Sequence, residues 1–326
     1  MLPDGRRLGA HLPLGGGMVA AADRAHAIGL DTLQVFGDNP TAWRRRQQPP
    51  KELPAFRARA EALDLAPIAI HAPYLINLAG PDDEFYQRSV SVLANELAVA
   101  PGFGTRFLNV HTGTHRGEPD GSVQRVAAGV ARGLAEARAR IEALPEVPEL
   151  PVLVLENSAG GGGGIGTDVP ELARILAVIT DEGVADGQVG ICLDTAHLWG
   201  AGHPINTTEG VDRLVDDFSQ EIGLERLAMF HLNDSKVALG SRQDRHEHLG
   251  AGAIGPAGLA RFLTHPDLRH VVYYLETPGM DAGYDAINAA RAHDLAEGRR
   301  LADLPPEALP RAGLRARTRP SYEPAK

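Results

Sequence analysis

Short apolar runs recur along the chain at residues 8–11, 32–36, 68–71, 107–111, 152–156, 189–194, 228–232 and 271–276. Most are continuous rather than alternating, as expected of parallel strands covered on both faces. Intervals of roughly 25 to 45 residues separate them, enough for a helix in each crossover. Helix-compatible stretches fill those intervals at 18–28, 53–63, 84–99, 122–143, 169–179, 210–220 and 256–264, and a last one at 286–296 stops before Gly298. Thr167 and Asp168, ahead of Val169-Pro170-Glu171, read as a polar cap with proline in the first turn. Eight such strand–helix units predict a single-domain (β/α)8 TIM barrel over residues 1–298.

The remainder, 299–326, has seven Arg or Lys against three acids and five prolines. That composition predicts a basic, proline-rich and poorly ordered tail. The glycine patch 160–164 follows the fifth strand and reads as a flexible loop or a place where substrate backbone approaches protein backbone. The G-x-G-x-x-G spacing within 161–166 is misplaced for a dinucleotide fingerprint, which belongs after the first strand.

Composition is ordinary for a globular protein, 43% hydrophobic and 23% charged. No apolar stretch approaches the ~20 residues a membrane-spanning helix needs, and no signal-length apolar segment follows Arg6 and Arg7. The lone Cys192, inside an apolar run, is expected to be a buried, unreactive thiol. These features predict a cytoplasmic protein with no membrane partner. A formal charge of −10 opposes binding to a polyanion unless positive charge is concentrated locally.

The distribution of metal-ligating residues supplies that possibility. In barrels of this type the strand C-terminal ends converge on one face. His71, His111, Glu156, Asp194, His231 and Glu276 fall at or near the ends of six consecutive strands, and His197, Asp244 and His246 lie in the following loops. Imidazoles and carboxylates are the nitrogen and oxygen donors that zinc and manganese accept. Nine exceed the needs of one or two ions, so a multi-metal site is expected, and three divalent ions would bring the formal total to −4. His11 could support this set from behind. His115, His203 and His248 fall in nearby loops, while His26, His265, His270 and His293 read as surface residues. Trp43-Arg44-Arg45-Arg46, after the second strand, reads as a phosphate-contacting loop or a solvated helix face.

With their neighbours, several of these residues form recognisable segments: Gly9-Ala-His11, His71-Ala-Pro-Tyr-Leu-Ile-Asn-Leu78, Asn109-Val-His-Thr-Gly-Thr-His115, Leu155-Glu-Asn-Ser-Ala-Gly160, Cys192-Leu-Asp-Thr-Ala-His197, His231-Leu-Asn-Asp-Ser-Lys236 and Ser241-Arg-Gln-Asp-Arg-His246. In order and spacing the chain resembles endonuclease IV from about residue 8 to residue 290. The resemblance implies a trinuclear zinc endonuclease that acts on double-stranded DNA containing abasic sites, cuts 5′ to the lesion, leaves a 3′ hydroxyl and needs no obligate protein partner. It implies one zinc on His71, His111 and Glu156, a second on Glu156, Asp194, His231 and Glu276, and a third on His197, Asp244 and His246, with manganese acceptable at one position. Glu156 would bridge two ions and Glu276 would orient or deprotonate the attacking water. Tyr74 and Leu75 would enter the duplex, with Arg44, Arg45, Arg46, Lys236 and Arg245 supplying further DNA contacts. Gly37-Asp38-Asn39-Pro40-Thr41 departs from the basic residues that the family often carries after the second strand. The leading alternative is a sugar isomerase or epimerase of the xylose-isomerase-like barrels, which needs fewer metals; a non-catalytic lesion-binding protein is a third reading.

Overall fold

The computed structural model describes residues 1–46, 49–279 and 282–308. In chain order the elements are β1 (Leu8–His11), α1 (Met18–Ala27), β2 (Thr32–Phe36), α2 (Leu53–Ala62), β3 (Ile68–His71), α3 (Asp83–Val99), β4 (Thr105–His111), α4 (Ser122–Glu142), β5 (Val152–Glu156), α5 (Val169–Asp181), β6 (Val189–Asp194), α6 (Thr195–Ala201), α7 (Thr208–Glu221), β7 (Leu227–His231), β8 (Asp234–Ser235), β9 (His246–Glu247), α8 (Gly255–Thr264), β10 (Val272–Leu275) and α9 (Asp285–Ala296). Eight parallel strands close in the order β1-β10-β7-β6-β5-β4-β3-β2, and β8 and β9 form a separate antiparallel pair. The fold is the (β/α)8 barrel that the apolar runs predict.

Strand alternation explains both the continuous runs and the position of the polar residues. Ile70, Leu108, Leu153, Leu155, Ile191 and Leu193 point outward into the layer shared with the helices, each worth roughly 1.5–3 kcal/mol when fully buried. Ala69, Phe107, Val154, Cys192, Met229 and Tyr274 point inward and form the barrel floor. Two residues further along the same strands, on the same face, stand His71, Asn109, Glu156, Asp194, His231 and Glu276. Each inward row is therefore apolar below and polar at the rim. Tyr274 fills the floor and donates to the Pro67 carbonyl at 2.5 Å. Gly9 makes room for it, since a Cβ there would lie 2.9 Å from the Tyr274 ring and 2.8 Å from the Thr32 carbonyl oxygen. Burial pushes the Cys192 thiol up to about 12, so it stays protonated.

Several features depart from the expectations. Helix α6 starts directly on β6 where a loop is expected, with Asp194 as its cap. The glycine patch is packed in part: a Cβ on Gly161 would lie 2.7 Å from the Arg242 carbonyl oxygen and one on Gly163 2.6 Å from the His115 ring, while Gly162 between them faces open space. His265 is buried, not at the surface. The start of the basic tail is also ordered against the barrel. Leu301 packs on the core, Arg291 donates to the Ala302 carbonyl, and His248 donates to the Ala308 carbonyl at 3.2 Å. Residues 309–326 of the expected tail lie outside the described residues. Among the described residues, no helix is long and apolar enough to cross a membrane.

Candidate metal centre

The nine side chains singled out in the sequence meet at the C-terminal rim of the barrel. His71, His111 and Glu156 form one group, Glu156, Asp194, His231 and Glu276 a second, and Asp194, His197 and His246 a third. Within each group the candidate ligand atoms lie within 4.8 Å of one another. Glu156 belongs to the first two groups and Asp194 to the last two. Asp244 spans the outer histidines, with Oδ1 2.9 Å from His246 Nε2 and Oδ2 3.3 Å from His197 Nε2. The third group thus includes Asp194 beside the three residues implied by the resemblance.

Local structure explains how residues distant in sequence come together. Asp194 caps α6 through Oδ1, which accepts from the His197 N–H at 2.9 Å, so capping alone brings this pair to one place. Its Oδ2 remains over the site, 3.5 Å from His246 Nε2. Pairing of Ser235 with His246 in the β8–β9 hairpin carries His246 back over the rim. There its Nδ1 donates to the Glu276 carbonyl at 2.8 Å.

The ring nitrogens are oriented in a consistent way. His71 Nδ1 donates to the Ala72 carbonyl at 2.6 Å, His197 Nδ1 to the Asn157 carbonyl at 2.9 Å, and His231 Nε2 to Gln34 Oε1 at 3.0 Å. A carbonyl oxygen can only accept, so in each ring the proton on that nitrogen leaves the other nitrogen facing the cluster. Buried amides hold the carboxylates. Asn109 donates to Glu156 Oε2 at 2.6 Å, Asn233 to Asp194 Oδ2 at 2.7 Å, and Gln34 to Glu276 Oε1 at 2.7 Å. Glu156 Oε1, His231 Nδ1 and His246 Nε2 are buried without a hydrogen bond of good geometry and face other members of the cluster, Glu156 Oε1 3.2 Å from His231 Nδ1 and His246 Nε2 2.9 Å from Asp244 Oδ1. Carboxylates, oriented imidazole rings and inward-facing nitrogens without well-formed hydrogen bonds together fit divalent ions of the zinc or manganese kind.

Charge follows the same geometry. Burial opposes ionisation of Glu156, yet the neighbouring His111 and His231 hold it well below the usual carboxylate range. Glu276 is lowered in the same way, mainly by His231 against its own burial. Burial also disfavours the charged forms of His197, His231 and His246, but acidic neighbours outweigh it and raise all three, His246 to about 9. His111 shifts the other way, lowered by burial.

The profile of the xylose isomerase-like TIM barrels matches residues 22–303. A probable endonuclease 4 from Methanoculleus marisnigri is 39% identical over 291 residues, covering 89% of this chain and 98% of that one. The chain belongs to the endonuclease IV family. Endonuclease IV from Thermus thermophilus has a crystal structure matching this one with a TM-score of 0.76 at 37% identity, over 90% of this chain and 99% of that one. A D-tagatose 3-epimerase-like protein, at TM-score 0.62 and 17% identity, shares the fold alone.

Within this member of the endonuclease IV family, the rim residues sort by exposure. Tyr74 is 61% exposed, with its ring edge-on to Phe36 and 5.4 Å from the ring of His71. With Leu75, Phe85, His111 and Arg116 it lines a cleft of about 440 Å³ beside the first ligand group. Arg44 and Arg46 are exposed on the loop after β2, Arg46 lying 3.6 Å from Asp38. Arg45 corrects the expectation of three phosphate-facing cations. It turns inward, donates through Nε to Glu96 Oε1 at 2.9 Å and through Nη1 to the Asn39 and Ala42 carbonyls, because the buried Glu96 carboxylate on α3 requires a counter-charge. Lys236 is exposed 3.9 Å from Glu247, and exposed Arg245 donates to the Asp244 carbonyl at 2.8 Å.

The amides Gln34, Asn109, Asn157 and Asn233 are the functional residues that the sequence reading missed. A signal for two of them was present. Asn109 stands two residues before His111 and Asn233 two after His231, offsets that share a face wherever the backbone is extended. His115 and His203 bond locally, through Gly117 and the Thr167 carbonyl, while His11 reaches Glu276 Oε1 at 3.2 Å from behind.

Proposed function

We propose that the chain is a zinc-dependent AP endonuclease, cutting double-stranded DNA on the 5′ side of an abasic site and leaving a 3′ hydroxyl. The observation that carries this reading is the overlap of three ligand groups through Glu156 and Asp194 on one rim. His71, His111 and Glu156 would hold one zinc, Glu156, Asp194, His231 and Glu276 a second, and His197, Asp244 and His246 a third, with manganese acceptable at one position. When bound, such ions make hydroxide available at neutral pH and spread the charge that builds on the phosphorus oxygens.

The chain's own groups do the rest. Against its own burial, His231 holds Glu276 well below the usual carboxylate range, and Gln34 and His11 anchor its Oε1. Its Oε2 is the atom we assign to orienting the attacking water and taking its proton. Asn109 fixes Glu156 as the shared carboxylate. An abasic sugar has no stacked base to pull out, so extruding it into the cleft beside His111 costs less than flipping an intact nucleotide. Tyr74 and Leu75 would fill the gap left in the duplex. Arg44, Arg46, Lys236 and Arg245 are assigned to phosphate contacts, which position the duplex without reading its sequence. A cytoplasmic setting suits the single buried thiol.

The test is a duplex carrying one tetrahydrofuran abasic analogue. Zinc-loaded protein should nick it 5′ to the lesion and leave an end that a polymerase extends. Chelator should abolish the nick and added zinc restore it. Tight binding without scission would reject the assignment in favour of a lesion-binding protein, and isomerisation of a ketose with only one or two metals per chain would favour a sugar enzyme.

A further inference from the structure

Beside the ligand groups the rim holds a second, smaller concavity. A pocket of about 240 Å³ opens between the loops after β4 and β5, the end of α6 and the segment before β9, with His115, Gly160, Gly163, Glu171, Ala201 and Arg242 among its walls. Four of these continue stretches that carry candidate ligands. His115, Gly160 and Ala201 stand four residues beyond His111, Glu156 and His197, and Arg242 stands two before Asp244. Four residues reach at most about 14 Å, so the pocket borders the metal cluster.

Two donors in it have nothing to donate to, and both are held in place. The Gly117 N–H donates to His115 Nδ1 at 3.1 Å, so the proton of the neutral ring is on Nε2. The His115 N–H donates to the Gly163 carbonyl at 2.9 Å, and a Cβ on Gly163 would lie 2.7 Å from Nε2 itself. Arg242 takes a left-handed backbone, φ 55°, which residues other than glycine rarely adopt. Its N–H donates to the Gly200 carbonyl at 2.8 Å, and its Cγ and Cδ pass over Gly160. Bare backbone at Gly160, Gly161 and Gly163 therefore seats both side chains. Among the described residues no group accepts from His115 Nε2 or pairs with the exposed Arg242 guanidinium.

The one acid among these walls is already engaged. Glu171 Oε2 accepts from the Gly166 and Thr167 N–H groups at 2.7 and 3.0 Å, and Oε1 lies 3.7 Å from Arg174. One unpaired positive charge and one neutral donor remain, in a space below the roughly 300–1,000 Å³ of sites for drug-sized molecules. A guanidinium fork beside a fixed imidazole donor suits the oxygens of a single phosphate group.

We infer that this pocket is a phosphate subsite, in which Arg242 and His115 Nε2 bind a phosphodiester that flanks the scissile one on the cut strand. The inference rests on the proposed nuclease reading of the rim. Neither residue touches the reacting atoms; both fix the register of the strand over the metals.

The experiment uses zinc-loaded, full-length protein and a duplex already nicked 5′ to a tetrahydrofuran, which keeps the lesion in register and is not consumed. In a set of such duplexes one cut-strand phosphate at a time is replaced by a neutral methylphosphonate, and affinity is measured for the parent chain, Arg242→Gln, Arg242→Lys and His115→Ala. The parent should lose about tenfold at one flanking position. Arg242→Gln should bind the unmodified duplex about tenfold more weakly and lose nothing further when that position is neutral. Its slope of log K against log salt should flatten by about one, and Arg242→Lys should restore the slope. Zinc content should match the parent; where Arg242→Gln lowers it, His115→Ala carries the same comparison. Methylphosphonate sensitivity that is the same in parent and variants at every position would overturn the inference. Inorganic phosphate separates the other source of this chemistry: if it protects the parent but not Arg242→Gln from thermal unfolding while the methylphosphonate patterns are identical, the pocket takes free phosphate and the strand contact is rejected. A parent that fails to nick an intact abasic duplex, yet loses its sensitive position with Arg242, would reject the nuclease reading and keep the subsite. Nicking with identical patterns gives the converse.

Discussion

At the residue scale, the centre depends on groups that do not touch a metal as much as on those placed to do so. Asn109 holds Glu156 by one hydrogen bond of 2.6 Å, and among the described residues no other side-chain amide does so. Asn109→Leu should weaken zinc affinity by about 10- to 100-fold, read by competition with a chromophoric chelator; unchanged affinity would show that Glu156 is held without it. Proton linkage gives a second prediction. His246 is raised to about 9 in the metal-free chain, above its ordinary unfolded value near 6.5. A base shifted in that direction stabilises the fold below the unfolded value, and its contribution is lost as pH rises through about 9. Zinc needs the deprotonated nitrogen, so its affinity grows over the same interval. The difference in Tm between zinc-loaded and chelated protein should therefore widen from pH 6.5 to pH 9, and a constant difference would contradict the linkage. Arg45→Met leaves Glu96 buried without its counter-charge, costing about 3–5 kcal/mol. Denaturant unfolding should show that loss, and much of it should return in Arg45→Met/Glu96→Leu.

At the element scale, helix α6 shows how one side chain can serve both fold and site. Asp194 uses one carboxylate oxygen to cap the helix and turns the other to the cluster of candidate ligands, 3.5 Å from His246 Nε2. Asp194→Asn keeps a cap acceptor and Asp194→Ala removes it, at a cost of about 1 kcal/mol. With chelator present, both variants should melt below the parent, because both remove the charge that faces His197 and His246, and Asp194→Ala should melt below Asp194→Asn by the lost cap, while both lose bound metal. Equal melting of the two variants would show that the cap is dispensable. The barrel strands were legible because burial on both faces leaves continuous apolar runs, and the long helices because their outward rows are polar. The seven residues of α6 were not, since the helix follows β6 without a linker and its cap also reads as a ligand. The two-residue strands β8 and β9 are too short to carry a period, yet they place His246. The strap at 299–308 was illegible for another reason: its charged, proline-rich composition reads as tail, while the donors that hold it, Arg291 and His248, belong to other elements. Arg45 resembled its neighbours in sequence and differs from them only because Glu96 lies beneath it.

At the scale of the whole molecule, the barrel converts separation along the chain into proximity. Residues from His71 to Glu276 meet because eight parallel strands end on one rim. In the metal-free chain the buried carboxylates are balanced by protonated histidines, so ions and protons compete for the same cavity and bound metal acts as part of the fold. Saturating zinc at about 100 times its dissociation constant would add roughly 2.7 kcal/mol per site to stability. The number of ions this rim holds separates a trinuclear nuclease centre from the simpler site of a sugar enzyme. Metal content per chain, measured by mass spectrometry on protein prepared without chelator, should be three, and two ions or fewer would contradict the trinuclear centre.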